Sequence, residues 1–333
     1  MKATKIISAC AVLVALASCS NDHVISQPGA EDTPIRIQAN VGAVTTKAGA
    51  GLYDQNNNFE NNAKINVYIF ENGGTTYTYG SSGLLEYTAD GNGNLDVKDP
   101  GGSSSVPQYF PANGHGIDVY GIYPTSIMQL SSPQNFRVLE DQTEDADYKK
   151  SDLMYASCQT NKTKGDNITL TFNHKLAKVI VILKQGDGLN NDDLNGAEVK
   201  IKNTYVQCSI ASVDMNSFGN ITVSNDAAND QKDIIVGKWD SSTNSQSNGI
   251  AAIVVPQTVS KGTQLFEVRL KNNATYKYII PSDASNNVTF SPEKVYTYTL
   301  TLTTAGINVT SSITNWTDDT SNLPNSGNGD ATL

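Results

Sequence analysis

The sequence is poor in the residue types on which nucleic-acid binding, metal binding and catalysis most often depend. It has 23 Lys and Arg against 33 Asp and Glu, a formal net charge of −10, and no basic stripe to neutralise phosphates. Only three His and four Cys occur among its 333 residues, and no phosphate-binding glycine loop, metal-ligand motif or nucleophile elbow is present. We therefore expect no nucleic-acid partner, no enzymatic activity, no metal and no cofactor.

What the sequence has instead is an excess of turn and strand formers. It contains 35 Asn, 31 Thr, 26 Gly and 15 Tyr. Asn and Gly favour turns, whereas Thr and Tyr favour strands. Short apolar-alternating runs separated by such turns recur along the whole chain, and this pattern is typical of β-sandwiches. We predict an all-β protein, with a single weak helix candidate at 189–196 and a solvated loop at 140–150.

The first residues have the form of an export signal. Lys2 and Lys5 precede an apolar run over residues 6–17, which is too short to span a bilayer as a mature helix. Small residues then lead to Cys19, as in the lipobox of bacterial lipoproteins. This resemblance implies that residues 1–18 are a signal peptide and that Cys19 carries a lipid anchor.

The alternating patterns divide the mature chain. We predict a tether over 19–33, an N-terminal β-sandwich over 34–165, a C-terminal β-sandwich over 166–316 and a mobile polar tail over 317–333. Near the start, a strand over 35–44 has one apolar face, formed by Ile35, Ile37, Ala39 and Val41. Near the end, a strand over 306–315 has another, formed by Ile307, Val309 and Ile313.

Several remaining residues allow two interpretations. Asp90, Asn92, Asn94 and Asp96 place oxygen atoms at alternate positions, as in a calcium loop. The Gly and Glu that an EF-hand needs at its sixth and twelfth positions are missing, so a hairpin turn is favoured and a cation near Asp90 stays open. Cys158 and Cys208 could pair in an exported protein, although burial as small apolar side chains is favoured; the sequence leaves their pairing open.

A set of local strings resembles the fimbrillin family of bacterial pilus-subunit lipoproteins. The strings occur in order over nearly the whole mature chain. They are the lipobox at Cys19, the strand 35–44 with Thr45-Thr46-Lys47-Ala48, Val119-Tyr120-Gly121-Ile122-Tyr123-Pro124, Ser151-Asp152-Leu153-Met154-Tyr155-Ala156, Phe172-Asn173-His174-Lys175-Leu176-Ala177-Lys178-Val179, Val255-Pro256-Gln257-Thr258 and Ile313-Thr314-Asn315-Trp316.

The resemblance implies two tandem transthyretin-like Greek-key sandwiches and assembly by donor-strand exchange. It implies a lipoprotein carried to the outer membrane, a trypsin-like protease that cuts between Lys47 and Ala48, and loss of the first strand. Lys47 stands where such proteins usually have Arg. The strand at 306–315 of another subunit would then fill the vacated groove. The expected partners are other pilin subunits, the protease and, before cleavage, the outer membrane.

A second hypothesis comes from a different class of protein. Tyr77, Tyr79 and Tyr87 flank one predicted hairpin and could form a stacking platform for a glycan. The chain would then be a monomeric glycan-binding surface lipoprotein whose first strand completes its own sandwich permanently. Exposed, coplanar Tyr or Trp rings would favour this alternative over the fimbrial subunit.

Overall fold

The structure is a computed structural model of the 333-residue chain. It describes residues 33–42, 58–72, 79, 84–98, 104–127, 134–210, 223–224, 231–242, 244, 249–284, 287–316 and 327–330. Cys19, Lys47 and Ala48, and with them the predicted signal peptide and cleavage site, lie outside the described residues. No helix in the described part of the chain is long and apolar enough to cross a membrane.

The protein is all-β, as predicted. Its strands are β1 (Ile37–Val41), β2 (Lys64–Glu71), β3 (Leu84–Ala89), β4 (Asn94–Val97), β5 (Ile117–Tyr123), β6 (Gln134–Arg137), β7 (Met154–Lys162), β8 (Ile168–His174), β9 (Ala177–Gln185), β10 (Glu198–Tyr205), β11 (Gln207–Ile210), β12 (Val223–Ser224), β13 (Gln231–Lys238), β14 (Ile250–Val254), β15 (Gln257–Val259), β16 (Gln264–Arg269), β17 (Thr275–Ile279), β18 (Val288–Phe290), β19 (Lys294–Thr303), β20 (Gly306–Asn315) and β21 (Gly327–Asp330). The helices are α1 (Asp145–Lys150) and α2 (Asn191–Leu194).

Seven strands from the first half of the chain close into a barrel. Their order is β1-β4-β3-β2-β5-β7-β8, so that β1 lies between β4 and β8 and closes the ring. The β1–β8 pair is parallel, whereas β1 and β4 run antiparallel. A barrel of about this size has room only for its own inward-pointing side chains.

The remaining strands form two larger sheets and two small ones. The larger sheets have the orders β13-β10-β16-β17 and β14-β9-β19-β20-β21. In the latter, β19 is parallel to β9 and forms a hairpin with β20 through ten residue pairs. The small sheets are β12-β11-β6 and β15-β18.

The buried side chains form two hydrophobic clusters. One fills the barrel and includes the apolar face of β1. The other fills the second half and also takes rings from the outer face of the barrel, among them Tyr68, Tyr120 and Tyr155. Tyr68 and Tyr120 stack with their ring centroids 4.7 Å apart. The barrel wall is therefore buried on both faces along these strands, which explains their nearly continuous apolar sequences.

The structure differs from the sequence-based divisions at several points. The boundary predicted after residue 165 falls inside the barrel, because β8 pairs with both β1 and β7. Helix α1 lies in the segment predicted as a solvated loop and buries Tyr148, whereas α2 lies in the predicted helix segment. Strand β21 lies within the predicted polar tail. The transthyretin-like assignment remains a prediction.

A substitution at Gly121 on β5 tests how tightly the barrel interior is filled. A Cβ atom added there would lie 2.4 Å from Cζ of Phe172, a ring on β8 that is fully buried. We expect Gly121→Ala to lower the free energy of unfolding by about 1–3 kcal/mol, because the ring has to move within a closed interior. Urea titration measures the loss. Thr169→Ala, on the outer face of β8, is the control and should change it by less than about 0.5 kcal/mol; equal effects would contradict the packing described.

Candidate functional site: the seat of the first strand

Strand β1 has hydrogen-bonding neighbours along both of its edges. On one side it pairs with β8 at five positions, from Ile37 with Ile168 to Val41 with Phe172. On the other side it pairs with β4 at two positions, and its edge is then continued by the Ala39 amide, which donates to the Gly93 carbonyl at 2.8 Å. We call the space that β1 fills, bounded by β4 and β8, the β1 seat.

The side chains of β1 and of the residues just before it alternate between the barrel interior and solvent. Ile35, Ile37, Ala39 and Val41 are all buried, at 7%, 2%, 2% and 1% exposure. The residues between them, which include Arg36 and Gln38, face outwards. The predicted apolar face is thus confirmed. Along the strand, the interior accepts two large side chains, then a small one, then a β-branched one.

Each end of the β1 seat is held by a segment that the sequence did not single out. At the start, residues 104–110 run beside the strand: the Ile35 amide donates to the Gln108 carbonyl at 2.7 Å, and the Phe110 amide donates to that of Thr33 at 3.3 Å. At the other end, Asn58 bridges to Asn40. The loop between β1 and Asn58 would contain the predicted cut, and its residues 43–57 are outside the described part.

Phe59 lines the barrel interior next to this second end. Its ring is 1% exposed and packs edge-on against Phe172, with the centroids 5.1 Å apart. It also contacts Tyr123, at 5.8 Å between centroids. Because Phe59 follows Lys47 in the chain, a cut after Lys47 leaves it with the body of the subunit. The inner end of the seat would therefore stay lined after β1 had left.

A pocket of about 180 Å³ opens beside the start of β1. Ile35, Tyr87, Leu95 and Val106 are among its lining residues. Burial raises the pKa of the Tyr87 hydroxyl well above 10, and the nearby Tyr79 and Asp96 raise it further. The pocket lies where the segment 104–110, rather than β4, hydrogen-bonds to the residues before β1.

The predicted donor residues lie in a different sheet from β1. Ile307 and Val309 are buried in the second cluster, whereas Ile313 is 57% exposed. Strand β20 is paired with β19 along its whole length and with β21 at four positions from Asn308 to Ser311. Any donation of this strand therefore requires it to leave its own sheet first.

A cluster of buried residues holds the end of β20 against the barrel. The Trp316 ring stacks on the His174 ring, with centroids 3.9 Å apart and planes 9° apart. His174 Nδ1 hydrogen-bonds to Asp152 Oδ1 at 2.8 Å, and both residues are buried. The Trp316 amide donates to the Glu293 carbonyl at 2.9 Å. This cluster joins β8, which forms one wall of the β1 seat, to the carboxyl end of β20.

The other residues considered as sites have structural roles. One oxygen of the Asp90 carboxylate accepts hydrogen bonds from the amides of Asn92 and Asn94, at 2.7 and 3.0 Å. Burial of the Asp90 carboxylate acts to raise its pKa. These hydrogen bonds and one from the Asn94 side chain outweigh burial and lower the pKa of Asp90 below its usual value. Asp90 thus closes the β3–β4 turn, in agreement with the hairpin interpretation. Cys208 is buried, as favoured from the sequence.

The glycan platform is wrong for the two tyrosines that the structure describes. Tyr79 is buried and its hydroxyl donates to the Tyr109 carbonyl at 2.6 Å, while Tyr87 is 3% exposed. Tyr77 lies outside the described residues. Within the described ranges, no Tyr or Trp is classed as exposed, so the rings that a glycan would stack on are turned into the core.

Comparison with known proteins agrees with this architecture. A family model described as fimbrillin-like matches residues 46–316. The chain belongs to the fimbrillin-like family. This fimbrillin is 27% identical over 341 residues to Fim1C, a candidate fimbrium subunit of Bacteroides uniformis, with 99% of this chain and 98% of that protein covered.

Two solved structures have the fold of this fimbrillin. A candidate cell adhesion protein of Bacteroides uniformis superposes with a TM-score of 0.60 at 22% identity, covering 87% of this chain and 100% of that one. A candidate cell adhesion protein of Bacteroides ovatus superposes with a TM-score of 0.63 at 16% identity, covering 86% of this chain and 98% of that one. At these identities the likeness concerns the fold alone.

Truncation of Ile37 tests how much the burial of β1 in its seat contributes to the free energy of unfolding. We expect Ile37→Ala to lower the free energy of unfolding by about 2–5 kcal/mol, because it leaves a cavity inside the barrel. Gln38→Ala removes a neighbouring side chain of β1 that faces outwards, and should cost less than about 0.5 kcal/mol. Chemical denaturation of both variants provides the comparison, and a loss for Gln38→Ala as large as that for Ile37→Ala would argue against an inward-facing Ile37.

Proposed function

We propose that this fimbrillin is a structural subunit of an outer-membrane fimbrium, of the stalk or tip type, and that its β1 seat receives a strand from a neighbouring subunit. The observation that carries the proposal is the position of β1 as the closing strand of the barrel, with three inward side chains, a fourth from Ile35 just before it, and two hydrogen-bonded edges. The fimbrial names of its relatives support the same role. The subunit serves adhesion through assembly and has no catalytic step.

The barrel without β1 would be a strong template for another strand. Loss of β1 leaves the facing edges of β4 and β8 with unpaired backbone groups, which favour the addition of a strand. It also uncovers the seat, where each of the larger side chains stabilises by about 1.5–3 kcal/mol when buried. An incoming strand supplies main-chain hydrogen bonds, and its alternate side chains supply the specificity.

Cleavage between Lys47 and Ala48 is the step that we propose releases β1. The cut would separate the lipid at Cys19, the tether and β1 from the rest of the subunit, while β2 to β8 remain one continuous chain. The family match begins at residue 46, one residue before Lys47. A trypsin-like protease accepts Lys at this position. Before the cut, the lipid would hold the subunit at the outer membrane.

The segment 306–315 is the donor that we propose for the next subunit. The side chains of Ile307, Val309 and Ile313 would enter the seat left by Ile35 to Val41. The stacking contact between Trp316 and His174 would have to break first. The segment 306–315 of one subunit and the β1 seat of the next are two different surfaces, so a contact between them does not close on itself. Repetition of this contact gives a filament.

Limited proteolysis tests the proposal. Protein made without its lipid by the change Cys19→Ser is treated with trypsin, sequenced at its new N-terminus and followed by electron microscopy and sedimentation. We expect a new N-terminus at Ala48 and growth of fibres, because the cut frees β1. Lys47→Gln should resist this cut and stay monomeric, whereas Lys164→Gln, at an exposed turn residue, should behave like the parent.

Two results would contradict the proposal. One is fibre growth from Lys47→Gln protein whose chain is still intact. The other is a parent protein that is cut at Ala48, releases the β1 peptide and yet remains monomeric.

A further inference from the structure

We infer that the β1 seat selects its incoming strand by side-chain size, and that β20 of a second copy enters in the direction of β1 with Ser311 in the place of Ala39. This inference rests on the proposed function, because it assumes that β1 leaves. It adds the register and direction of the exchanged strand, and so identifies the partner segment residue by residue.

The seat carries a size pattern that is not symmetric. Ile35, Ile37 and Val41 are β-branched and occupy the first, second and fourth positions, Ala39 is small and occupies the third, and all four are buried. The interior is closed around them by the other barrel strands, and its second end is filled by the rings of Phe59 and Phe172. An extra side chain of three or more atoms at the Ala39 position would overpack such an interior.

Strand β20 has the same pattern on one face. Ile307, Val309, Ser311 and Ile313 follow one another at alternate positions, so β-branched side chains stand at the first, second and fourth positions and a small one at the third. The residues between them, which include Thr310 and Ser312, are polar, as are Arg36 and Gln38 between the buried residues at the start of the chain. The two segments therefore match in size on the inner face and in polarity on the outer face.

Only one placement keeps this match. A shift of β20 by two residues puts either Val309 or Ile313 at the small Ala39 position and moves Ser311 to a position that takes a larger side chain. Reversal of the strand without a shift places Val309 at the small position. Reversal with Ser311 kept at the Ala39 position puts Asn315 at that of Ile35, which is buried, and burial of an amide side chain without a partner is costly. A shift by one residue turns the polar face inwards. The placement with Ser311 at the Ala39 position is thus the one that fills all four positions.

One apolar side chain of β20 is poorly covered in its own sheet. Ile307 and Val309 are buried there, but Ile313, on the same face, is 57% exposed and Ser311 is half-buried. Its own subunit therefore leaves the last apolar side chain of this face largely uncovered. In the β1 seat, Ile313 would take the place of Val41, which is 1% exposed. The exchange buries an apolar side chain that the monomer leaves in water, and this contribution offsets part of the cost of removing β20 from its pairing with β19 and β21.

The register predicts which residues become neighbours between subunits. In the monomer, Asn40 pairs with Thr171 and Gln38 with Thr169 across the parallel β1–β8 contact. With Ser311 at the Ala39 position, Ser312 replaces Asn40 and lies beside Thr171, whereas Thr310 replaces Gln38 and lies beside Thr169. Adjacent strands are about 4.8 Å apart, a separation that a disulfide bridges.

Cysteine cross-linking tests the register. The full chain with Cys19→Ser carries either Ser312→Cys with Thr171→Cys or, as the shifted control, Ser312→Cys with Thr169→Cys. Each is cut with trypsin, allowed to assemble and oxidised mildly. We expect a ladder of disulfide-linked multimers on a non-reducing gel for the Thr171 pair, and none above the Cys19→Ser parent for the Thr169 pair. Uncut protein should give no ladder.

The size rule is tested at Ser311 itself. We expect Ser311→Leu to slow elongation by about tenfold or more, because the larger side chain cannot enter the small position. Ser312→Leu faces away from the interior and should stay within about twofold of the parent, as should Ser311→Ala, which keeps the side chain small. Thermal unfolding of the uncut proteins separates this effect from damage to the donor's own sheet. Should Ser311→Leu not fold, the cross-linking result decides.

The outcomes separate this inference from the proposed function. If the cut parent does not form fibres, the proposed function fails and the register fails with it. If fibres form but the Thr169 pair cross-links in place of the Thr171 pair, if neither cross-links, or if Ser311→Leu elongates at the parent rate, strand exchange survives and the size-selective register is wrong.

Discussion

The barrel is closed by a strand that stands apart from the others in the sequence. Strand β1 pairs in parallel with β8, whose residues follow it by more than a hundred positions, and it reaches β4 through only two pairs. All its other neighbours belong to the continuous stretch from Asn58 onwards. The barrel core therefore depends on a strand that one cut in the loop after it would detach. Its interior cannot collapse to fill the gap, because tightly packed interiors relax only partially around a lost side chain.

The two hydrophobic clusters explain why such a loss need not unfold the subunit. The barrel strands β2, β5 and β7 also pack their outer faces, through Tyr68, Tyr120 and Tyr155, into the cluster of the second half. The wall of the β1 seat is thus supported from behind by residues that do not depend on β1. We infer that the vacated seat keeps its shape, and a preformed groove binds a strand at lower entropic cost than a disordered one.

Sequence periodicity predicted the local structure well and the long-range pairing poorly. The alternation over 35–44 and 306–315 predicts the two strands, since period two depends only on neighbouring residues. The predicted face is buried in the first strand and at Ile307 and Val309, whereas Ile313 is 57% exposed. It does not tell which strand lies beside which. The sequence-based boundary therefore places β8 in the C-terminal sandwich, whereas β8 pairs with β1 and β7 of the barrel. Helix α1 was missed because its six residues show only one buried side chain, that of Tyr148. Asp152, His174 and Trp316 meet only in the folded chain, and no local pattern connects them.

The most direct measurement is hydrogen exchange combined with mass spectrometry on assembled fibres. The account predicts that fibres lack the peptide containing Ile37–Val41, while the amides of Ile168–Phe172 on β8 remain as protected as in the uncut monomer, because a foreign strand has replaced β1. Fibres that retain the β1 peptide in equal amount with the subunit, with the same protection on β8, would contradict it. The strand would then be a permanent part of the barrel, and assembly would use another surface.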